Sequence, residues 1–238
     1  MTARRPPSRP TGRPPCRRHY ADLVVDLHLA QDAEADRLLS DSPLALLVGM
    51  VLDQQVPLEW AFAGPLELRR RLGADLDAAR LASMDPDDLK ALFADRPALH
   101  RYPGSMAGRV QELCRVLVED YEGRAEAVWE GAESGAELLS RIRKLPGFGD
   151  QKAKIFLALL GKQLGVRPSG WEKASSPFSD TGSHRSVADI RDEATLQKVR
   201  EYKQSLKAAA KGAPAGPPAR KVGARRPAGT TRTSPPTR

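Results

Sequence analysis

The run Leu145-Pro146-Gly147-Phe148-Gly149, followed by Gln151, Lys152 and Ala153, carries the most specific chemistry in this sequence. Glycine has no Cβ and enters left-handed backbone conformations that other residues resist. A Gly-x-Gly turn at the start of a helix therefore presents successive backbone N–H groups beside the helix N-terminus. Those donors and the positive end of the helix dipole suit a phosphate oxygen. With no Cβ at Gly147 or Gly149 a nucleic-acid backbone can approach closely, and Lys144, Lys152 and Lys154 add positive charge around the contact. The same glycines would also serve a plain αα-hairpin. The longer pattern Leu-Pro-Gly-x-Gly-x-x-x-Ala, set between two amphipathic helices, favours binding over a bare turn.

Two helices must position that turn. Residues Ala136–Lys144 place Leu138, Leu139 and Ile142 inward, and Asp150 is expected to cap a helix running to about Leu164. The helix-hairpin-helix thus spans about 136–164. Upstream, Ser42 is a good N-cap and Pro43 fits the first position of a helix ending near Gln55. That helix is apolar nearly all round and belongs at the centre of a bundle. It ends in Asp53-Gln54-Gln55, closed by Pro57. Further helices are expected at Leu58–Leu72, Asp85–Phe93 and Ala107–Glu122, the last with Val110, Leu113, Cys114, Leu117 and Val118 on one face. Residues 165–188 read as irregular, and a final helix, about Glu193–Ala210, aligns Leu196, Val199, Tyr202 and Leu206. The acidic stretch from Asp32 to Asp36 reads as a solvated helix face. Alternating Val-Ile-Thr runs are missing, so an all-α fold of seven or eight helices is expected.

Charge is unevenly distributed over the 238 residues. The net value is +8, yet 13 of the 38 Lys and Arg residues lie in segments 1–20 and 211–238, which hold no acid. The middle, 21–210, sets the remaining 25 bases against all 30 acids, a net of −5. The two ends are rich in Pro, Gly and Arg and read as disordered basic tails flanking one helical domain at 21–210. Such tails raise nonspecific affinity for polyanions. Cys16 and Cys114 form no CxxC or Cys/His spacing, so no zinc site, iron–sulfur cluster or disulfide framework is expected, in keeping with a cytoplasmic protein (nucleoid-associated, if bacterial). No apolar run approaches the roughly 20 residues that span a bilayer. No obligate protein partner is implied, and a monomer is expected.

The hairpin and its surroundings resemble the helix-hairpin-helix DNA glycosylase superfamily, HhH-GPD, the group of endonuclease III and the adenine and alkyl-base glycosylases. Leu145-Pro146-Gly147-Phe148-Gly149 with Ala153 is similar to its hairpin. Val51-Leu52-Asp53-Gln54-Gln55-Val56 resembles the end of its early helix, whose Gln points into the DNA. Met106-Ala107-Gly108-Arg109-Val110 resembles a third recurring element. The likeness covers about residues 40–165 and weakens from 165 to 210. It implies two helical lobes with a cleft closed on one side by the hairpin. It implies double-stranded DNA as partner, and base-excision repair by extruding a nucleotide and cleaving its N-glycosidic bond.

The resemblance also implies roles. The hairpin residues Leu145, Gly147, Phe148 and Gly149, with Gln151 and Lys152, would contact DNA, and a monovalent cation could sit at the turn. Gln55 would fill the gap left by the extruded base. Lyase members carry a Schiff-base lysine two residues after the second glycine, where this chain has Gln151; Lys152 lies about 100° further round a 3.6-residue helix. A monofunctional glycosylase without lyase activity is therefore expected. The family's catalytic Asp lies downstream of the hairpin helix. Asp189, in Ser186-Val187-Ala188-Asp189-Ile190, is the expected residue, with Asp180 the alternative and Asp192 read as a helix cap. Phe62 and Trp60 read as core rather than as walls of a base pocket, while Trp171 and Phe178 are open between the two. His28, His100 and His184 receive no role. The alternatives are a non-catalytic DNA-binding hairpin protein and a protein-interaction module.

Overall fold

The computed structural model describes residues 26–212. The basic segment 1–20 and the C-terminal tail beyond Gly212 lie outside the described residues. Among those described there are ten α-helices, two short 3-10 turns and no strand, an all-α fold.

Local capping explains most helix starts. Helix α1 (Ala33–Asp41) begins where Asp32 accepts from the N–H groups of Glu34 and Ala35. The acidic stretch here is more than a solvated face. Asp36 is buried and accepts from the N–H of Ala30 at 2.7 Å. Burial raises its pKa above the usual carboxylate value. Helix α2 (Pro43–Leu52) is capped by Ser42, and Leu44 to Leu52 are all buried. It stops at Leu52, short of the expected Gln55, because Gln54 N–H turns back to the carbonyl of Leu52 and Gln55 adopts a left-handed φ of 57°. Helix α3 (Leu58–Leu72) ends at Gly73 in the left-handed region. It lies tightly on α2: a Cβ on Gly49 would come within 2.8 Å of Phe62, and one on Gly64 within 2.6 Å of Leu52. Phe62 is core as expected, whereas Trp60 is 40% exposed and is not.

Helices α4 (Ala78–Ser83) and α5 (Pro86–Ala94), capped by Asp77 and Asp85, pack on α6 (Pro103–Tyr121). The last starts four residues before the expected Ala107, at a proline suited to the first position. After a 3-10 turn at Ala125–Val128 come α7 (Gly135–Arg143), α8 (Asp150–Gln163) and α9 (Trp171–Ser175). A second 3-10 turn at Val187–Asp189 precedes α10 (Glu193–Gly212). The segment expected to be irregular thus holds one short helix. Its Trp171 is core: a Cβ on Gly161 would lie 2.3 Å from the indole. Phe178 packs half-buried against the same core.

Helices α1 to α6 gather around the α2–α3 pair, and α7, α9 and the Val187–Asp189 turn gather around α8. Helix α2 and the 125–128 turn join the two groups. Leu196 and Val199 seat α10, while Leu206 is 52% exposed. No described helix is long and apolar enough to cross a membrane.

Candidate nucleic-acid interface

The hairpin is built from buried anchors, a half-buried Gly147 and an exposed Gly149. Leu145 and Phe148 are buried, and the Phe148 ring packs edge-on against Phe156 of α8 at 5.6 Å. The N–H of Phe148 donates to the carbonyl of Leu145 at 3.1 Å, which closes the turn. Gly147 takes φ +86°, and a Cβ there would press on Val51 at 3.4 Å, so the turn rests on the end of α2. Gly149 does not need the left-handed region: it is the N-cap of α8 in an extended conformation. A Cβ on it would meet nothing, so what it keeps open is its outer surface. Asp150 is the first residue of α8 and not its cap; its carboxylate pairs with Arg143 and with Lys154.

The backbone N–H groups of Gly147, Gly149, Asp150 and Gln151 find no acceptor among the described residues. The first N–H groups of a helix cannot be satisfied within it. With the N–H of Lys152, which also lacks an acceptor among the described residues, five donors lie along the turn and the first turn of α8, where an anionic oxygen can take them. Lys144 is exposed beside them.

A cleft of about 710 Å³ opens between this turn and the end of α2, lined by Met50, Asp53, Gln54, Arg109 and the hairpin residues through Ile155. Gln151 faces it, exposed and without a side-chain hydrogen bond to any described residue. Lys152, one step round the helix, turns toward α2. Its ammonium donates to the carbonyl of Met50 at 2.6 Å and approaches that of Val51 at 3.4 Å. Burial, aided by Arg109, lowers its pKa to about 8, against the opposing attraction of Asp53.

The two glutamines after α2 have different fates. Gln54 is gripped on three sides. Its amide donates to the carbonyl of Val51 at 3.0 Å, its side-chain oxygen accepts from Arg109, and its backbone carbonyl accepts from His100 Nε2 at 2.8 Å. His100 is buried, and its Nδ1 accepts from the N–H of Tyr102. Gln55 is exposed, left-handed and tied by no side-chain bond. It lines a second groove of about 710 Å³ between the 53–59 segment and α10, with Arg200, Lys203 and Lys207 on the helix side. Arg200 pairs with Glu59, which leaves Lys203 and Lys207 without a partner among the described residues. Sequence reasoning assigned nothing to His100 or to the side chain of Arg109, because contacts across 46 and 55 residues leave no local signal.

The structure brings Leu145, Gly147, Phe148, Gly149, Gln151 and Lys152 to one cleft, sets Gln55 on the neighbouring groove that shares Asp53 with it, and places Asp189 elsewhere. Asp189 ends the 3-10 turn and is buried. Its carboxylate accepts from Lys162 at 2.5 Å, from the hydroxyl of Ser183, and from the N–H groups of Arg185 and Ser186. Lys162 lies ten residues beyond Lys152 on α8, about 15 Å along the helix axis. Asp189 lines a separate cavity of about 470 Å³. The carboxylate of Asp180 pairs with Arg185 at 3.4 Å. Asp192 caps α10 by accepting from Thr195 N–H.

No group of His, Cys, Asp and Glu among the described residues could hold a metal ion. Cys114 is buried, and burial pushes its thiol up to about 12, which removes it as a nucleophile.

A family model described as HhH-GPD superfamily base excision DNA repair protein matches residues 48–211, well over half of the chain. No curated protein and no solved structure matches it.

Proposed function

Because the chain belongs to the HhH-GPD superfamily of base excision DNA repair proteins, we propose that it is a monofunctional DNA N-glycosylase that excises a damaged or mismatched base from duplex DNA. The observation that carries this reading is the placement of the unsatisfied hairpin N–H groups and of the left-handed, unrestrained Gln55 in two grooves that share Asp53. The hairpin holds a phosphate by backbone donors. Gln55 enters the duplex in place of the extruded nucleotide. The carbonyl oxygens of Lys144, Pro146 and Gly147 accept no hydrogen bond from the described residues and are oxygens that could hold a monovalent cation at the turn.

Two features support hydrolysis without lyase chemistry. An amide stands at Gln151, and an amide cannot form a Schiff base. The neighbouring amine of Lys152 is engaged by α2 carbonyls. The test is base release from duplexes carrying uracil, alkylated, oxidised or mismatched bases. One of these yields free base with the strand intact, and borohydride traps no covalent adduct. An adduct that disappears in Lys152→Met overturns the monofunctional reading. The rival is a hairpin protein that binds DNA without cleaving it, favoured by the placement of Asp189 away from the cleft. Tight duplex binding with no base release from any duplex would establish it.

A further inference from the structure

A glycosylase needs a carboxylate near the sugar, because the transition state is cationic there. We infer that this carboxylate is Asp53, at the end of α2, and not Asp189. The inference rests on the glycosylase reading above.

Two carboxylates line the hairpin cleft, Asp53 and Asp150. Asp150 is held by Arg143 and Lys154 and occupies the first turn of α8. The carboxylate of Asp53 makes no hydrogen bond or ion pair with any described residue, although the residue is half-buried and its charge acts on the nearby Lys152. It lines both the hairpin cleft and the Gln55 groove, so it sits between the phosphate-binding turn and the wedge. On the glycosylase reading, the sugar of the extruded nucleotide lies in that interval. The carbonyl end of α2 adds negative potential of the sign a sugar cation requires, partly offset by Lys152. Asp189, by contrast, spends its oxygens on four donors at the far end of α8.

The step balances with water as co-reactant. The C1′–N bond breaks, and its electron pair leaves with the base, which solvent protonates. Asp53 stabilises the cation left at C1′. A water oxygen then bonds to C1′, and its proton passes to the Asp53 carboxylate and on to solvent.

The experiment is single-turnover base release by the full chain on whichever duplex the wild type processes, with Asp53→Asn, Asp53→Glu and Asp189→Asn alongside. Asp53→Asn is expected to slow release by about 100-fold or more, with duplex affinity and thermal midpoint unchanged. Asp53→Glu is expected to retain part of the rate. Asp189→Asn is expected to lower the thermal midpoint and leave the rate of the folded protein at the wild-type value. An active wild type matched by an equally active Asp53→Asn overturns the inference alone, as does loss of release in Asp189→Asn at an unchanged midpoint. A wild type that binds duplex and releases no base overturns the glycosylase reading, and this inference with it.

Discussion

The ammonium of Lys152 donates to the carbonyl of Met50 at 2.6 Å. That bond fastens the helix after the hairpin to the helix before the wedge, 102 residues apart in sequence. It satisfies a helix C-terminus that would otherwise present bare carbonyls to the cleft. It also fixes the distance between the phosphate-binding turn and Gln55.

This bond makes stability depend on pH in a definite direction. The folded pKa of Lys152 is about 8, below its ordinary 10.5. Below pH 8 the folded protein bears the full penalty of a charged amine held out of water. Between about 8 and 10.5 the folded state has lost a proton that the unfolded chain keeps, so stability rises with pH. Urea unfolding from pH 7 to 10 should show the wild type gaining roughly 1–2 kcal/mol relative to Lys152→Met. Parallel curves for the two proteins would contradict the shift.

The Lys162–Asp189 pair is buried and fully bonded, with side chains 13% and 3% exposed. Removing one partner strands the other charge. Asp189→Asn and Lys162→Met should each lose about 3 kcal/mol or more of unfolding free energy, with strong coupling in the double-mutant cycle. Additive losses would mean that the two side chains act independently.

Gln55 pays for its conformation. A non-glycine residue at φ +57° is strained by about 1–2 kcal/mol. Gln55→Gly should be at least as stable as the wild type, since relief of that strain offsets the added freedom of the unfolded chain. Base extrusion, followed by fluorescence of 2-aminopurine next to the lesion, should fall. A clear drop in thermal midpoint would show that the turn is not strained.

Lys203 and Lys207 flank the Gln55 groove without partners among the described residues. If both meet phosphates, the variant with Lys203→Gln and Lys207→Gln should reduce the slope of log affinity against log salt by about 2. An unchanged slope would make them an ordinary solvated face. The core around them carries more acid than base, so local placement of cations matters more here than total charge.

Features written in short-range chemistry were legible in the sequence. Ser42, Asp85 and Gly73 mark helix ends by capping, and α3 falls on its expected residues. The hairpin was legible because glycine spacing and flanking apolar periodicity are both local. Helices α4 and α9, of six and five residues, are too short to show a period of 3.6. Asp36 and Asp53 invert what their sequence surroundings suggest. The first lies in an acidic run yet is buried, and the second belongs to a polar cap yet lines the cleft with a carboxylate that no described residue hydrogen-bonds or ion-pairs. Whether a carboxylate is spent or available depends on which donors the fold brings to it, as Lys162 is brought to Asp189 across 27 residues.

The clasp on Gln54 has a spectroscopic consequence. His100 Nδ1 accepts from Tyr102 and Nε2 bonds the Gln54 carbonyl, so the ring is held as the Nε2–H tautomer and that proton is shielded from exchange with solvent. Its resonance, and the ring's pair of nitrogen shifts, provide a native reporter one residue away from Gln55. Any rearrangement of the corner on meeting DNA will register there, with no label placed at the wedge itself.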